Sequence, residues 1–360
     1  MEGAYVIVAG KTGGHIYPGI ALAREIRARR PDAPIVFVGT REGLEGRLVP
    51  EAGFPLETVS ASGFAGMGIG GKLASLAKLP AGFFEARSLL SRHHARGVVG
   101  MGGYVTVPVL AAARSLSIPT VVHDSNALPG IATKFANRFA TKTAVGLAAA
   151  NSRLRKPGTV TGTPVREEFF RIPALSPAAR TRRLLVFGGS QGSIVLNRAM
   201  AQAVRHLAAD GIEVIHQTGE KHFAAVQAAY GEIPARWRLV PFLPRLFEEL
   251  SWADAVLSRS GAMTLAELAA AGRPAVLVPF GSATHGHQRE NAAALVEAGA
   301  ARMVEESAAT GEALAGAVRD LLSDRSRLVG MGEAARSLAV PAAARRLADL
   351  LFEAEREAAA

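Results

Sequence analysis

The sequence predicts an α/β protein of two domains, each built on a parallel sheet. Three observations carry that expectation. The chain has 360 residues, enough for two hydrophobic cores. Short apolar runs alternate with helical segments through both halves, the pattern of parallel strands joined by crossover helices. Three of the strand ends open into glycine-rich turns, Gly10–His15, Gly100–Tyr104 and Gly188–Ser193.

Composition narrows the class. Hydrophobic residues make up 49% and aromatics only 6%, as in an Ala/Leu/Val-rich globular protein. The chain has no cysteine, which excludes disulfides, thiolate metal sites and a cysteine nucleophile. No signal peptide precedes the first strand and no apolar run is long enough to span a bilayer, so a cytoplasmic protein is expected. The net charge of +10 is segregated. Residues 1–166 hold 20 Lys and Arg against 9 Asp and Glu, whereas residues 167–360 hold 21 against 22. A basic half implies an anionic partner: a nucleic acid, a phosphorylated ligand or an acidic lipid surface.

The first strand, Tyr5–Ala9, ends in Gly10-Lys-Thr-Gly-Gly-His15, and a helix runs on to Arg29. Such a turn presents backbone N–H groups and a helix N-terminus to an anion. A dinucleotide site would place an acid after the second strand; Ile35–Val38 ends in Gly39-Thr40 instead, which argues against NAD. His15, at the carboxyl end of a strand, is a functional candidate. Residues 60–71 look like a mobile loop. After it, Leu73, Leu76, Leu79 and Phe83 fall three or four residues apart beside Lys72 and Lys78, with Pro80 as a kink point. Apolar anchors with basic flanks suit the headgroup region of an anionic membrane; an ordinary core face is the alternative. The strand Pro119–Val122 ends in His123-Asp-Ser-Asn126, four polar residues costly to bury unpaired. Lys134, Arg138 and Lys142 recur every four residues, a basic stripe if the helix reaches Lys142. The boundary between domains falls near Gly162-Thr-Pro-Val-Arg166.

The second half repeats the pattern. Ser190 sits in its glycine turn, where a helix dipole contributes about 0.3–1 kcal/mol per charge. No acid ends the following strand, Val214–Gln217. The stretch from Ser258 to Phe280 reads as strand, tight turn, helix from about Ala262 to Ala271, stop at Gly272-Arg-Pro274, and strand. Ser260, Thr264, Glu267 and Gln288 are expected to converge at a carboxyl edge, where open α/β sheets hold ligands. Glu267 suits the paired hydroxyls of a ribose; a solvated acid is the alternative. There is no Asp-x-Asp pair for a divalent metal and no Walker lysine. An anion held by helix dipoles and arginine without metal suits a diphosphate leaving group.

In order, Thr12-Gly-Gly-His-Ile-Tyr-Pro-Gly19, Met101-Gly-Gly-Tyr104, His123-Asp-Ser-Asn126, Gly162-Thr-Pro-Val-Arg166, Gly188-Gly-Ser-Gln-Gly192, Ser260-Gly-Ala-Met-Thr-Leu-Ala-Glu267 and His287-Gln288 with Asn291 resemble the successive motifs of the MurG family, over nearly the whole chain. The resemblance implies a GT-B fold: two Rossmann-like domains whose parallel sheets face a central cleft. It implies an acceptor- and membrane-docking domain over 1–164, with the C-terminal helix, about 340–360, packing back on it, and a UDP-GlcNAc domain over 165–339. It also implies inverting transfer of GlcNAc from UDP-GlcNAc to the C4 hydroxyl of MurNAc in undecaprenyl-diphosphate-MurNAc-pentapeptide, lipid I. By motif position, Ser190 meets the diphosphate, Leu243 the uracil, Ala262, Met263, Thr264, Leu265, Ala266 and Glu267 the nucleotide and ribose, and Gln288 the sugar. Thr12, Gly13, Gly14, Asn126 and Arg166 line the facing wall and are likewise expected to bind UDP-GlcNAc. His15 is the expected general base, with Asp124 its rival or orienter. No cofactor, no metal and no nucleic acid are implied. The implied setting is peripheral, on the anionic cytoplasmic leaflet of the inner membrane, among cell-wall synthesis and division proteins. Two departures stand out: Lys11 where the family usually has Gly, and Asp124-Ser125 where it usually has Glu-Gln. The competing readings are another GT-B enzyme on UDP-GlcNAc, such as a 2-epimerase, and a nucleic-acid-binding protein using the basic half.

Overall fold

The computed structural model describes residues 3–40, 43–61, 69–281 and 286–360, with the side chains of 69–79 left aside. It divides the chain into two compact units. Unit 1 comprises Met1–Arg166 and Val340–Ala360; unit 2 comprises Glu167–Ala339.

Among the described residues, unit 1 holds a seven-stranded sheet. Its strands are β1 (Tyr5–Val8), β2 (Ile35–Gly39), β3 (Leu56–Thr58), β4 (Gly97–Gly100), β5 (Thr120–Asp124), β6 (Lys142–Val145) and β7 (Thr159–Val160). Unit 2 holds six: β8 (Arg183–Phe187), β9 (Glu213–Gln217), β10 (Trp237–Val240), β11 (Ala255–Ser258), β12 (Ala275–Leu277) and β13 (Ala301–Met303). The orders are β3-β2-β1-β4-β5-β6-β7 and β10-β9-β8-β11-β12-β13, and every pairing is parallel. Each unit is therefore Rossmann-like. The inner strands are rich in Val, Ile and Leu, as helices covering both faces require: β1, β2, β4, β5, β11 and β12 are buried along their whole length. The strand order reverses between β1 and β4 in unit 1 and between β8 and β11 in unit 2. Ligands of doubly wound sheets bind at such switch points.

The C-terminal helix, Ala343–Ala359, belongs to unit 1 for a reason its residues make plain. Leu347, Leu350, Leu351 and Phe352 are buried at helical spacing, each worth about 1.5–3 kcal/mol on burial. Glu355, on the same helix, accepts from Tyr5 Oη at 2.7 Å, Arg30 at 2.7 Å and Arg96 at 2.8 Å.

The expected basic stripe is corrected here. The helix Ile131–Ala136 ends before Lys142, which lies in β6 and pairs with Glu353 and Glu357. Burial of Ala136, Asn137 and Ala140 turns the chain inward at that point, so the four-residue spacing crosses a turn and not a helix face. The helix that carries Pro80 runs Ile69–Arg92.

Candidate active site

In unit 1 the two glycine turns meet on His15. Thr12 N donates to Gly10 O at 3.0 Å around Lys11, whose φ is +73°. His15, near the start of the helix Gly13–Arg29, lies 3.1 Å from that same carbonyl through Nδ1. A carbonyl only accepts, so Nδ1 carries the proton and Nε2 keeps the lone pair. Thr12 Oγ1 stands 3.4 Å from Nδ1. The imidazole rests on the second turn, where Gly102 has φ +104° and a Cβ would come within 2.9 Å of Nε2. Only glycine leaves room for the ring there.

His123 lies behind, fully buried, with Nε2 3.1 Å from Gly162 O. Burial holds its pKa below the ordinary histidine value, and the nearby His15 adds to the lowering, against the opposing effects of the Gly162 bond and Asp124. Asp124 is committed to its own loop. One oxygen accepts from Asn126 N at 3.0 Å and Asn126 Nδ2 at 2.9 Å, the other from Gly130 N at 2.9 Å. It fixes Asn126 and the start of the next helix. Arg166 stacks over the Tyr17 ring at 4.5 Å.

Two residues that sequence reasoning missed hold these turns in place. The first is Glu45, at the start of the helix Glu45–Glu51 and fully buried. It accepts from Lys11 N at 2.8 Å through one oxygen and from Thr40 N and Oγ1, both at 2.8 Å, through the other. An acid thus does reach the end of β2, six positions beyond Gly39. The signal was the run Gly39-Thr-Arg-Glu-Gly-Leu-Glu45, whose glycines leave space for the carboxylate: a Cβ on Gly39 would come within 3.0 Å of Oε1.

The second is Arg259, in unit 2. It is buried at the end of β11 and donates through Nε to Ser193 Oγ at 2.9 Å and through Nη1 to Val278 O and Pro279 O, both at 3.1 Å. Its Nη2 pairs with Glu306. Ser193 in turn caps the helix Ile194–Ala209, accepting from Leu196 N at 3.3 Å. Arg259 therefore joins the phosphate-type turn holding Ser190 to the end of β12.

Around it, the predicted residues gather in part. Ser260 Oγ donates to Gln288 O at 2.7 Å, and Gln288 Oε1 accepts from Ser260 N at 3.3 Å and Phe280 N at 3.0 Å. Two N–H donors on one atom identify it as the oxygen, which leaves the amide NH2 of Gln288 directed away from them. The helix Ala262–Ala271 starts at Gly261, and among the described residues no side chain caps it. The N–H groups of Ala262, Met263 and Thr264 thus lack intrahelical acceptors. Ala262, Thr264 and Ala266 are half-buried; Met263 and Leu265 turn their side chains into the core, so only their main chain can serve a ligand. Glu267 is 5% exposed, which removes the solvated-acid reading. Leu243 follows the outer strand β10, two strands from β8. Its loop is tied inward where Gly219 N donates to Pro241 O at 3.1 Å. Leu73, Leu76, Leu79, Lys72 and Lys78 have side chains outside the described residues. Phe83 is half-buried against the core beside Val109 and Leu110, while its neighbour Phe84 is 66% exposed.

Two family profiles match the chain: "Glycosyltransferase family 28 N-terminal domain" over residues 5–145 and "Glycosyltransferase family 28 C-terminal domain" over 183–347. A protein of Anaeromyxobacter sp. (strain K), named UDP-N-acetylglucosamine--N-acetylmuramyl-(pentapeptide) pyrophosphoryl-undecaprenol N-acetylglucosamine transferase, is 40% identical over 97% of this chain and 92% of its own. One of the same name from Geobacter metallireducens is 36% identical over 98% of this chain and 99% of its own. The chain belongs to the MurG family. The crystal structure of Acinetobacter baumannii MurG superposes with a TM-score of 0.78 at 28% identity, covering 97% of this chain and 99% of that one. The glycotransferase of kitacinnamycin, at 19% identity and a TM-score of 0.74, shares the GT-B fold. Against the usual MurG pattern, the Lys11 departure now has a shape: a lysine holds a left-handed turn that glycine enters without strain.

Proposed function

We propose that the chain is an inverting glycosyltransferase that moves GlcNAc from UDP-GlcNAc to the C4 hydroxyl of MurNAc in undecaprenyl-diphosphate-MurNAc-pentapeptide, the lipid I to lipid II step of peptidoglycan synthesis. The observation that carries this reading is the near full-length likeness, across both units, to transferases named for that reaction. Unit 2 holds the donor. The turn of Ser190 and the uncapped N–H groups at Ala262–Thr264 take the diphosphate, Glu267 the ribose, the Leu243 loop the uracil, and the NH2 of Gln288 a sugar oxygen. Unit 1 serves the acceptor. His15 Nε2 removes the C4 hydroxyl proton as that oxygen attacks the anomeric carbon. The bond from that carbon to the diphosphate breaks in the same displacement, inverting the centre, and UDP carries away the electron pair. From unit 1, Thr12, Gly13, Gly14, Asn126 and Arg166 contribute to binding UDP-GlcNAc. Asp124 has both oxygens occupied and positions Asn126; His15 is the base.

A lipid-linked acceptor requires unit 1 to work at a membrane surface. Among the described residues no helix is long and apolar enough to cross a membrane. Phe84, Ile131 and Phe135 are exposed beside Lys134 and Arg138, and the two helices that bear them both pack on the helix Thr106–Ser115. That surface supports peripheral docking on the anionic cytoplasmic leaflet of the inner membrane, where each basic residue contributes about 1 kcal/mol.

The test is transfer of radiolabel from UDP-GlcNAc to a lipid I analogue, with and without EDTA. Label in the lipid product under both conditions supports the reading. Release of GlcNAc or epimerised sugar without lipid labelling overturns the assigned reaction, and loss of transfer with EDTA overturns metal-free departure of UDP.

A further inference from the structure

The Gly10–Lys11 peptide is gripped at both ends. Its carbonyl oxygen faces His15 Nδ1 at 3.1 Å, and its N–H donates to Glu45 Oε2 at 2.8 Å. The peptide sits in a three-residue turn whose central residue, Lys11, has φ +73°, with Thr12 N closing it onto Gly10 O. This is the strained hand of the γ-turn, rare for a residue with a side chain. Strain of that kind persists only where the surroundings hold it, and Glu45 is what holds it. Its other oxygen is fastened to the end of β2 through Thr40 N and Oγ1, and its side chain is buried completely.

We propose that Glu45 is a positioning residue for His15, acting through the Gly10–Lys11 peptide. The carboxylate draws the N–H, the peptide polarises, and its carbonyl becomes a stronger acceptor for Nδ1–H. That fixes the imidazole in one tautomer with the lone pair on Nε2, as a carboxylate does directly when it orients a histidine. Here a backbone amide stands between the two. The same bonds turn the Lys11 and Thr40 N–H groups inward onto the protein's own carboxylate, so neither is available to a phosphate.

The inference rests on His15 as the base, and its tests separate the two ideas. In the wild-type chain, 15N spectra of His15 should show the Nδ1–H tautomer alone; in Glu45→Gln, a mixture. Transfer between UDP-GlcNAc and a lipid I analogue should fall about 10- to 100-fold in kcat for Glu45→Gln, by analogy with removing the hydrogen-bond partner behind a metal-ligating histidine. UDP affinity should stay unchanged. In a His15→Ala background the same substitution should cost nothing more, because the two residues then share one interaction. Equal losses in both backgrounds, or a wild-type His15 protonated on Nε2, would overturn the proposal. If His15→Ala alone transfers normally, the base assignment falls, and the tautomer spectra still decide whether Glu45 holds the imidazole. Those wild-type spectra decide it even where Glu45→Gln does not fold.

Discussion

The first glycine turns of the two units stand at the same point of the same strand order, yet opposite charges support them. Under the turn of unit 1 lies a carboxylate, Glu45, which accepts three donors and pulls backbone N–H groups inward. Under the turn of unit 2 lies a guanidinium, Arg259, which reaches Ser193 Oγ, two strand-end carbonyls and Glu306. Topology decides where a ligand goes. The charge placed beneath the turn decides what it does there. A buried carboxylate that consumes N–H donors suits a turn that presents a base. An arginine-braced turn, beside a helix whose first N–H groups lack intrahelical acceptors, suits a departing diphosphate.

The sharpest way to break the contrast is His15→Ala. Loss of a general base costs about 10²–10⁴-fold in kcat, and steady-state transfer assays should show a loss in that range. An unchanged kcat would move base catalysis elsewhere. Arg259→Ala should come next. Removing one partner of a buried, hydrogen-bonded pair costs about 3–5 kcal/mol; it takes the Arg259 donor from Val278 O and Pro279 O, while Glu306 keeps Gly281 N. Both tryptophans, Trp237 and Trp252, lie in unit 2, so the midpoint of urea unfolding followed by their fluorescence should fall. Arg259→Lys should recover little, because an ammonium cannot reproduce the planar fork.

The smallest effect concerns pH. His216 is buried between Tyr230 Oη at 2.7 Å and Asn197 Oδ1 at 3.1 Å, and burial lowers its pKa from 6.5 to about 3. A folded-state pKa below the unfolded one means that its contribution is complete above about pH 6.5 and is lost as pH falls toward 3. Each such group contributes a slope of about 1.4 kcal/mol per pH unit over that window. His123 shifts in the same direction in unit 1. Tryptophan-detected stability of unit 2 should therefore fall between pH 6 and pH 4. His216→Gln should flatten that acid arm, and an arm unchanged by the substitution would remove His216 as its cause.

How far the sequence reached differs by type of signal. The turns were legible because glycine marks strand-to-helix junctions, and the short apolar runs alternating with helical segments announced the parallel sheets. Glu45 was not legible, since a reading that looks for an acid at the last residue of the second strand passes over one that returns from the next helix. Arg259 was hidden inside a Ser-Arg-Ser run that reads as a turn. The bonds that Asp124 accepts from Asn126 N, Asn126 Nδ2 and Gly130 N were not legible, because main-chain donors leave no side-chain pattern. Lys134, Arg138 and Lys142 matched a helical spacing across a chain reversal that only packing reveals.

The central claim is a division of labour: donor affinity lives in unit 2, proton removal in unit 1. Calorimetric titration of UDP into the full chain tests it most directly. Wild type and His15→Ala should bind UDP equally. Glu267→Ala should bind it about 10- to 100-fold more weakly, as expected from losing a hydrogen bond to a charged group worth about 1.5–3 kcal/mol. Full affinity in Glu267→Ala, or affinity lost in His15→Ala, would contradict the account.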